Sequence, residues 1–282
     1  MKIGEYRKET SDTLAGLFGE EAKPLCDILL CSFLDIDKSE LILRENDEIP
    51  RDTVLQMDEA VNELGFGVPV QYIMGNCWFF GRKISIGRGC FIPRSDTETL
   101  AQTAASCLPA GGSFADICAG SGCISAAVAE IRKDATGFAL ELSYKALKYT
   151  EKNLEGFSNV TVKRFDALDE DDYYALLGDN GGKFDVIVCN PPYIRSGDIN
   201  LLQQQVQYEP LDALDGGEDG LHYYREITKL ASIILKENGA LLYELGYDQA
   251  GDVASILREK GYQTAVIKDL NGIERVILGK KY

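Results

Sequence analysis

Between Glu5 and about Phe66 the apolar residues recur at helical spacings, as in Leu25, Ile28 and Leu29 and again in Val54, Met57, Val61 and Leu64. No strand-like alternation of any length interrupts them, so a small helical domain of three or more short helices is predicted over residues 1–66, with Ser39 and Asp52 as caps. Residues 67–95 read differently. Aromatic and β-branched clusters are broken there by Gly75, Gly81, Gly87 and Gly89, which predicts a β-hairpin linking two domains. Asp96-Thr97-Glu98 then starts a helix that runs to about Cys107.

After Gly111-Gly112 the pattern alternates. Strands are predicted at 113–117, 136–141, 159–164, 184–189 and 238–244, with helices at 122–132, 143–155, weakly at 170–177, then at 220–236 and 247–260. Two last strands, 263–268 and 273–279, are joined by Asn271-Gly272, a strong hairpin signal. Helices between strands imply an α/β fold for residues 96–282, a doubly wound and mostly parallel sheet of Rossmann-like type that closes with an antiparallel hairpin.

Composition narrows the function classes. The 282 residues carry a net charge of −16, and the first 80 contain seven Lys/Arg against sixteen Asp/Glu. Such a surface repels phosphate backbones, so a protein or small-molecule substrate is expected rather than nucleic acid. No run of 18 apolar residues occurs and the amino terminus is polar and mixed in charge, so a cytoplasmic location without membrane attachment is the expectation. Eight cysteines without a C-x-x-C pair read as reduced thiols. With His222 the only histidine, neither a His-based triad nor a Cys/His zinc site is expected, and no metal is assigned.

The chemistry concentrates at predicted strand ends. "FADICAGSGCI" places Asp116 and the turn Cys118-Ala119-Gly120-Ser121-Gly122 between the first strand and helix of the sheet, where glycines admit a ligand close to backbone and a helix amino end offers free N–H groups. No Lys follows to hold phosphates, so a zwitterionic ligand fits better. Glu141 ends the second strand, where a carboxylate can hold a ribose diol, and Asp166, followed by Ala167, ends the third, where it could receive an adenine amino group. Together these acids predict a nucleoside site. The fourth strand, "FDVIVC", stops at Asn190-Pro191-Pro192-Tyr193. Two prolines stiffen that turn and leave its carbonyls without nearby backbone donors, a rigid acceptor site.

This order of motifs resembles the class I S-adenosylmethionine-dependent methyltransferases that modify amide or amino nitrogens. "PVQYIMGNCWFFGRKISIGRGCFIPRSDTETL", "DICAGSGCI", "NPPYI" and "YEPLDALDGGEDGLHYYREI" narrow the resemblance, over nearly the whole chain, to the release-factor glutamine methyltransferases (the PrmC/HemK family). The motifs around Gln71, Arg94 and Asp215 to Leu221 separate that family from other NPPY enzymes. The resemblance implies a seven-stranded methyltransferase sheet, S-adenosyl-L-methionine as cofactor with S-adenosyl-L-homocysteine as product, and transfer of a methyl group to the side-chain amide nitrogen of the glutamine in the Gly-Gly-Gln loop of class I peptide chain release factors. It implies Asn190, Pro191, Pro192 and Tyr193 as the catalytic set. It also implies Asp116, Cys118, Ala119, Gly120, Ser121, Gly122, Glu141, Asp166, Ala167 and Asn190 as the cofactor contacts. The amino-terminal helices, which have no cofactor motif, are expected to recognise the substrate.

The family often has Gly at Cys118, Pro at Ser95, Asp at Glu141 and, in some members, an aromatic at Ala167, departures that bear on cofactor affinity more than on reaction type. Arg94, Thr97 and Glu98 could close over the cofactor or only cap a helix, the loop 195–220 is expected to shape the substrate mouth, and Glu209-Pro210 reads as a turn. The rival readings are an N6-adenine or N2-guanine methyltransferase acting on a flipped base, which the charge disfavours, and a non-catalytic cofactor-binding module, which the intact motifs disfavour.

Overall fold

The computed structural model describes residues 1–281, and the chain divides into two compact units. One comprises Met1–Asn76 together with Gln203–Tyr208, the other Cys77–Leu202 with Glu209–Tyr282.

The first unit contains five helices, α1 (Ile3–Phe18), α2 (Ala22–Leu34), α3 (Lys38–Leu43), α4 (Arg51–Gly65) and α5 (Val70–Met74). Ile3, Leu14, Leu29, Leu30, Met57 and Leu64 fill its core, as the helical spacing requires. Asp27 is buried on α2 and takes a bidentate pair of hydrogen bonds from Arg7, at 2.6 and 2.7 Å, which satisfies its charge. The caps differ from expectation. Asp37, not Ser39, starts α3, because its carboxylate accepts from both Ser39 N and Glu40 N while Glu40 reaches back to Asp37 N. Pro50, not Asp52, precedes α4, with its φ of −61° already set for helix entry. The predicted hairpin over 67–95 shrinks for a related reason. Val70–Met74 is helical after Pro69, which leaves only β1 (Asn76–Phe79) and β2 (Arg82–Ser85) as strands. Phe80 and Gly81, both at positive φ, form the two-residue reversal between them.

The second unit holds the large sheet. After α6 (Glu98–Cys107) come β3 (Ser113–Ile117), α7 (Cys123–Ile131), β4 (Thr136–Glu141), α8 (Tyr144–Leu154), β5 (Val160–Arg164), α9 (Glu170–Asp179) and β6 (Phe184–Cys189). Then follow α10 (His222–Ile234), β7 (Leu235–Glu244), α11 (Ala250–Glu259), β8 (Tyr262–Lys268) and β9 (Glu274–Lys281). Strand order is β5-β4-β3-β6-β7-β9-β8. The first five strands are parallel and β9 runs antiparallel between β7 and β8, giving the doubly wound seven-stranded sheet. Asn271 and Gly272 do lie at the β8–β9 reversal, where Asp269 accepts from Asn271 N and Ile273 N.

Central strands are apolar on both faces because helices cover both, and Phe114, Phe184, Ile187 and Leu241 are fully buried. Strand order reverses direction between β3 and β6, so the crevice at their carboxyl ends is the fold's natural ligand position. Among the described residues no helix is long and apolar enough to cross a membrane.

Candidate active site

Parallel register sets Ile117 of β3 beside Cys189 of β6, so the turns that follow, at Cys118 and Asn190, leave the sheet side by side. The first turn is built from alternating left-handed residues: Cys118 at φ 61°, Gly120 at 58° and Gly122 at 77°. A glycine adopts that conformation freely, whereas a cysteine does so at a cost of about 1 to 2 kcal/mol. This gives a physical reason for the glycine that the resemblance leads one to expect at position 118. Ala119 N donates to Leu140 O at 2.9 Å, tying the turn to β4.

Glu141, at the end of β4, folds back on the same turn. Its Oε2 accepts Gly120 N and its Oε1 accepts Ser143 N, each at 2.7 Å. Burial raises its pKa, and the two backbone donors oppose that rise. Asp166, after β5, accepts Leu168 N at 2.9 Å through Oδ1.

Around these residues lies a cavity of about 220 Å³. Its lining includes Cys118, Ala119, Gly120, Ser121, Glu141, Asp166, Ala167 and all of Asn190-Pro191-Pro192-Tyr193. Two residues assigned to the ligand from sequence stand outside that lining. Asp116 is fully buried behind the turn, where its Oδ2 accepts Ser125 N and Ser125 Oγ at 3.0 and 2.7 Å and so anchors the start of α7. Desolvation pushes its carboxyl pKa up to about 7, against the two Ser125 bonds. Gly122 precedes α7 as its cap.

The sequence left other contributors unassigned. Gly89, Phe91 and Pro93 line one part of the cavity, and Pro210, Asp212, Leu214 and Tyr223 another. The clues to them were their place within the long motifs at 69–100 and 208–227 and, for Pro210, Asp212 and Leu214, the expectation that the loop 195–220 shapes the substrate mouth. Of Arg94, Thr97 and Glu98, only Thr97 reaches the cavity. Glu98 accepts Phe80 N at 2.7 Å, and Arg94 pairs with Glu209. Glu209 is therefore more than a turn residue: it is buried, its other oxygen accepts Ile92 N at 2.9 Å, and it fixes the segment that carries Phe91 and Pro93.

The lining carries three carboxylates, Glu141, Asp166 and Asp212, and no Lys, Arg or His. That donor set suits a ligand with hydroxyls, amino groups and positive charge, and it disfavours phosphates. The second turn supplies acceptors. Pro191 and Pro192 are buried and have no N–H, and Ile194 N and O bond to Leu214 O and Gly216 N at 3.0 and 2.8 Å, which fixes the far end of the turn.

Comparison with known proteins agrees with this architecture. Residues 5–75 match the family model described as PrmC N-terminal domain, and residues 95–209 match the model described as Methyltransferase small domain. The chain is 35% identical over 264 residues to the release factor glutamine methyltransferase of Thermodesulfovibrio yellowstonii, covering 90% of each protein. It is 33% identical over 285 residues to that of Clostridium acetobutylicum, covering 99% of this chain and 95% of the relative. A methyltransferase from Pyrococcus furiosus of known crystal structure shares the fold, with a TM-score of 0.52 at 19% identity over 72% of this chain and 90% of that one. A Gly-rich turn, strand-end acids and NPPY at the switch point of a seven-stranded sheet, in a chain this similar to its relatives from end to end, establish that it belongs to the release factor glutamine methyltransferase family.

Proposed function

We propose that this chain methylates the side-chain amide nitrogen of the glutamine in the Gly-Gly-Gln loop of class I release factors, using S-adenosyl-L-methionine. The observation that carries the reading is that the turn held by Glu141 and the acceptor turn Asn190–Tyr193 line one cavity. Glu141 and Asp166 would hold the ribose hydroxyls and the adenine amino group, with Cys118 to Ser121 along the methionine part. The absence of basic residues from the lining suits that zwitterionic, sulfonium-bearing molecule. When bound, it supplies a methyl group activated by the positive sulfur.

A glutamine amide nitrogen is a poor nucleophile, because its lone pair is shared with the carbonyl. The Asn190 side-chain oxygen and the Pro191 carbonyl accept its two hydrogens and hold the nitrogen out of full conjugation. The Tyr193 ring stacks on the amide plane and orients it. As the N–C bond forms the methyl–sulfur bond would break, releasing neutral S-adenosyl-L-homocysteine, and one of the two amide protons would be lost to solvent, so rate comes from positioning and electrostatics rather than from a covalent enzyme intermediate. The amino-terminal helices, residues 1–66, take part in recognising the release factor. The test is mass spectrometry of a purified release factor after incubation with the enzyme and S-adenosyl-L-methionine. A gain of one methyl group on the Gly-Gly-Gln glutamine is expected, and an unmodified glutamine overturns the reading.

A further inference from the structure

Tyr193 is gripped at both ends by residues that lie outside the cavity lining. Its hydroxyl donates to Glu244 Oε1 at 3.4 Å, and its carbonyl accepts Gln249 Nε2 at 2.9 Å. Glu244 ends β7 and Gln249 closes the turn that leads from it into α11, and both are buried, at 2% and 3% exposure. The register of β6 on β7, with Cys189 opposite Tyr243, sets Glu244 next to the start of the NPPY turn.

Gln249 is held from both ends of its amide. Nε2 also donates to Gly220 O at 3.2 Å, while Oε1 accepts Gly246 N at 3.0 Å. Backbone also packs closely on Tyr193. A Cβ at Gly220, where φ is +74°, would lie 2.5 Å from Tyr193 O, and one at Gly216 would lie 2.7 Å from its Cα. Only glycine permits so close an approach.

Glu244 is less well satisfied. Its Oε2 accepts no hydrogen bond of good geometry; Thr97, through its hydroxyl, and Asp96 ahead of α6, Arg275 of β9 and Tyr193 itself are the groups that act on it, and Tyr224 of α10 donates to its main-chain oxygen at 2.8 Å. A buried carboxylate with one oxygen so poorly satisfied disfavours folding and calls for a functional reason.

We propose that Glu244 and Gln249 are positioning residues for methyl transfer, which act by fixing the hydroxyl and the carbonyl of Tyr193. Glu244 sets the tilt of the ring that faces the substrate amide, and Gln249 sets the main chain that carries it. The proposal rests on the functional reading above, since it acts through the NPPY tyrosine.

A double-mutant cycle tests it, with single-turnover methylation of a Gly-Gly-Gln release factor as the assay and calorimetric cofactor affinity as the control. Glu244→Ala and Tyr193→Phe are each expected to lower kcat about 10- to 100-fold, the range for partners that orient a reacting group, with KM and cofactor affinity changed less than about threefold. The double variant should fall no further than either single one. Glu244→Gln, which keeps an acceptor and the shape of the side chain, should lose about three- to tenfold in the parent and nothing in the Tyr193→Phe background. It serves equally if the alanine variant does not fold. Losses that multiply in the double variants, or parental kcat in either Glu244 variant, overturn the positioning role. A parent enzyme that transfers no methyl group overturns the functional reading instead.

Discussion

Glu141 Oε2 accepts the amide hydrogen of Gly120 at 2.7 Å across 21 residues of chain, so the acid that ends β4 and the turn that leaves β3 form one assembly. Removing the carboxylate would withdraw the proposed ligand contact and leaves Gly120 N and Ser143 N without their acceptor. Glu141→Ala is expected to weaken S-adenosyl-L-methionine binding by about 1 to 3 kcal/mol, the range for leaving a buried polar partner unpaired. Calorimetric titration gives the value, and an unchanged affinity would remove Glu141 from the site.

Asp116 makes a prediction about pH and stability. Its folded pKa of about 7 lies above the ordinary aspartate value of 3.8 because the carboxyl is buried. The folded state therefore binds a proton that the unfolded state has released, and this group's stabilising contribution, full below about pH 4, is lost as pH rises through about 7. Asp116→Asn cannot titrate and keeps an acceptor for Ser125. Between pH 5 and 7 the stability difference should move in favour of the Asn variant by about 2 to 3 kcal/mol. Urea unfolding at several pH values measures it, and parallel curves for the two proteins would contradict the assignment.

The pair Arg94–Glu209 is asymmetric: the Glu209 side chain is 1% exposed and that of Arg94 37%. Loss of the arginine strands a buried carboxylate, whereas loss of the carboxylate leaves a guanidinium that water can reach. Arg94→Ala should destabilise by about 2 to 3 kcal/mol and Glu209→Gln, which still offers an acceptor to Ile92 N, by about 1 kcal/mol or less. Chemical denaturation of both variants decides the order, and a larger loss from Glu209→Gln would show that Arg94 is not what compensates the buried charge.

At position 118 the left-handed backbone separates two substitutions. Cys118→Gly should leave stability within about 1 kcal/mol of the parent, since relief of the φ penalty offsets the added freedom of the unfolded chain. Cys118→Val should cost about 2 kcal/mol or more, because a β-branched residue fits that region poorly. Thermal unfolding of the pair checks this, and equal melting temperatures would mean that the backbone relaxes.

Much of this molecule was legible in the order of its residues. The strands at 113–117 and 136–141 have the predicted bounds, because apolar residues buried on both faces end at a turn that leaves no choice of boundary. The helix caps were less legible. Asp37 and Ser39 are equally good capping types, and only the three-dimensional reach of the Asp37 carboxylate to two N–H groups separates them. Asp116 was visible as an acid next to a glycine-rich turn, yet nothing local says that it points behind the turn toward Ser125. Glu209 and Glu244 depend on partners far along the chain, Arg94 and Tyr193, and spacing carries no sign of such contacts. The one local hint was an acid closing the apolar run "ALLYEL", and it is too common a feature to single out.

The acceptor turn Asn190–Tyr193 is the centre of the proposed chemistry, and the rate of methyl transfer by Asn190→Ala tests it most directly. Parent and variant, with fold and cofactor affinity verified, would be mixed in single-turnover reactions with a Gly-Gly-Gln release factor and the methylated glutamine followed by mass spectrometry. Loss of one well-placed transition-state contact predicts a fall of about 10² to 10³ in rate with nearly intact cofactor binding. A variant that methylates the glutamine as fast as the parent would show that NPPY is only a stiff turn at the end of β6.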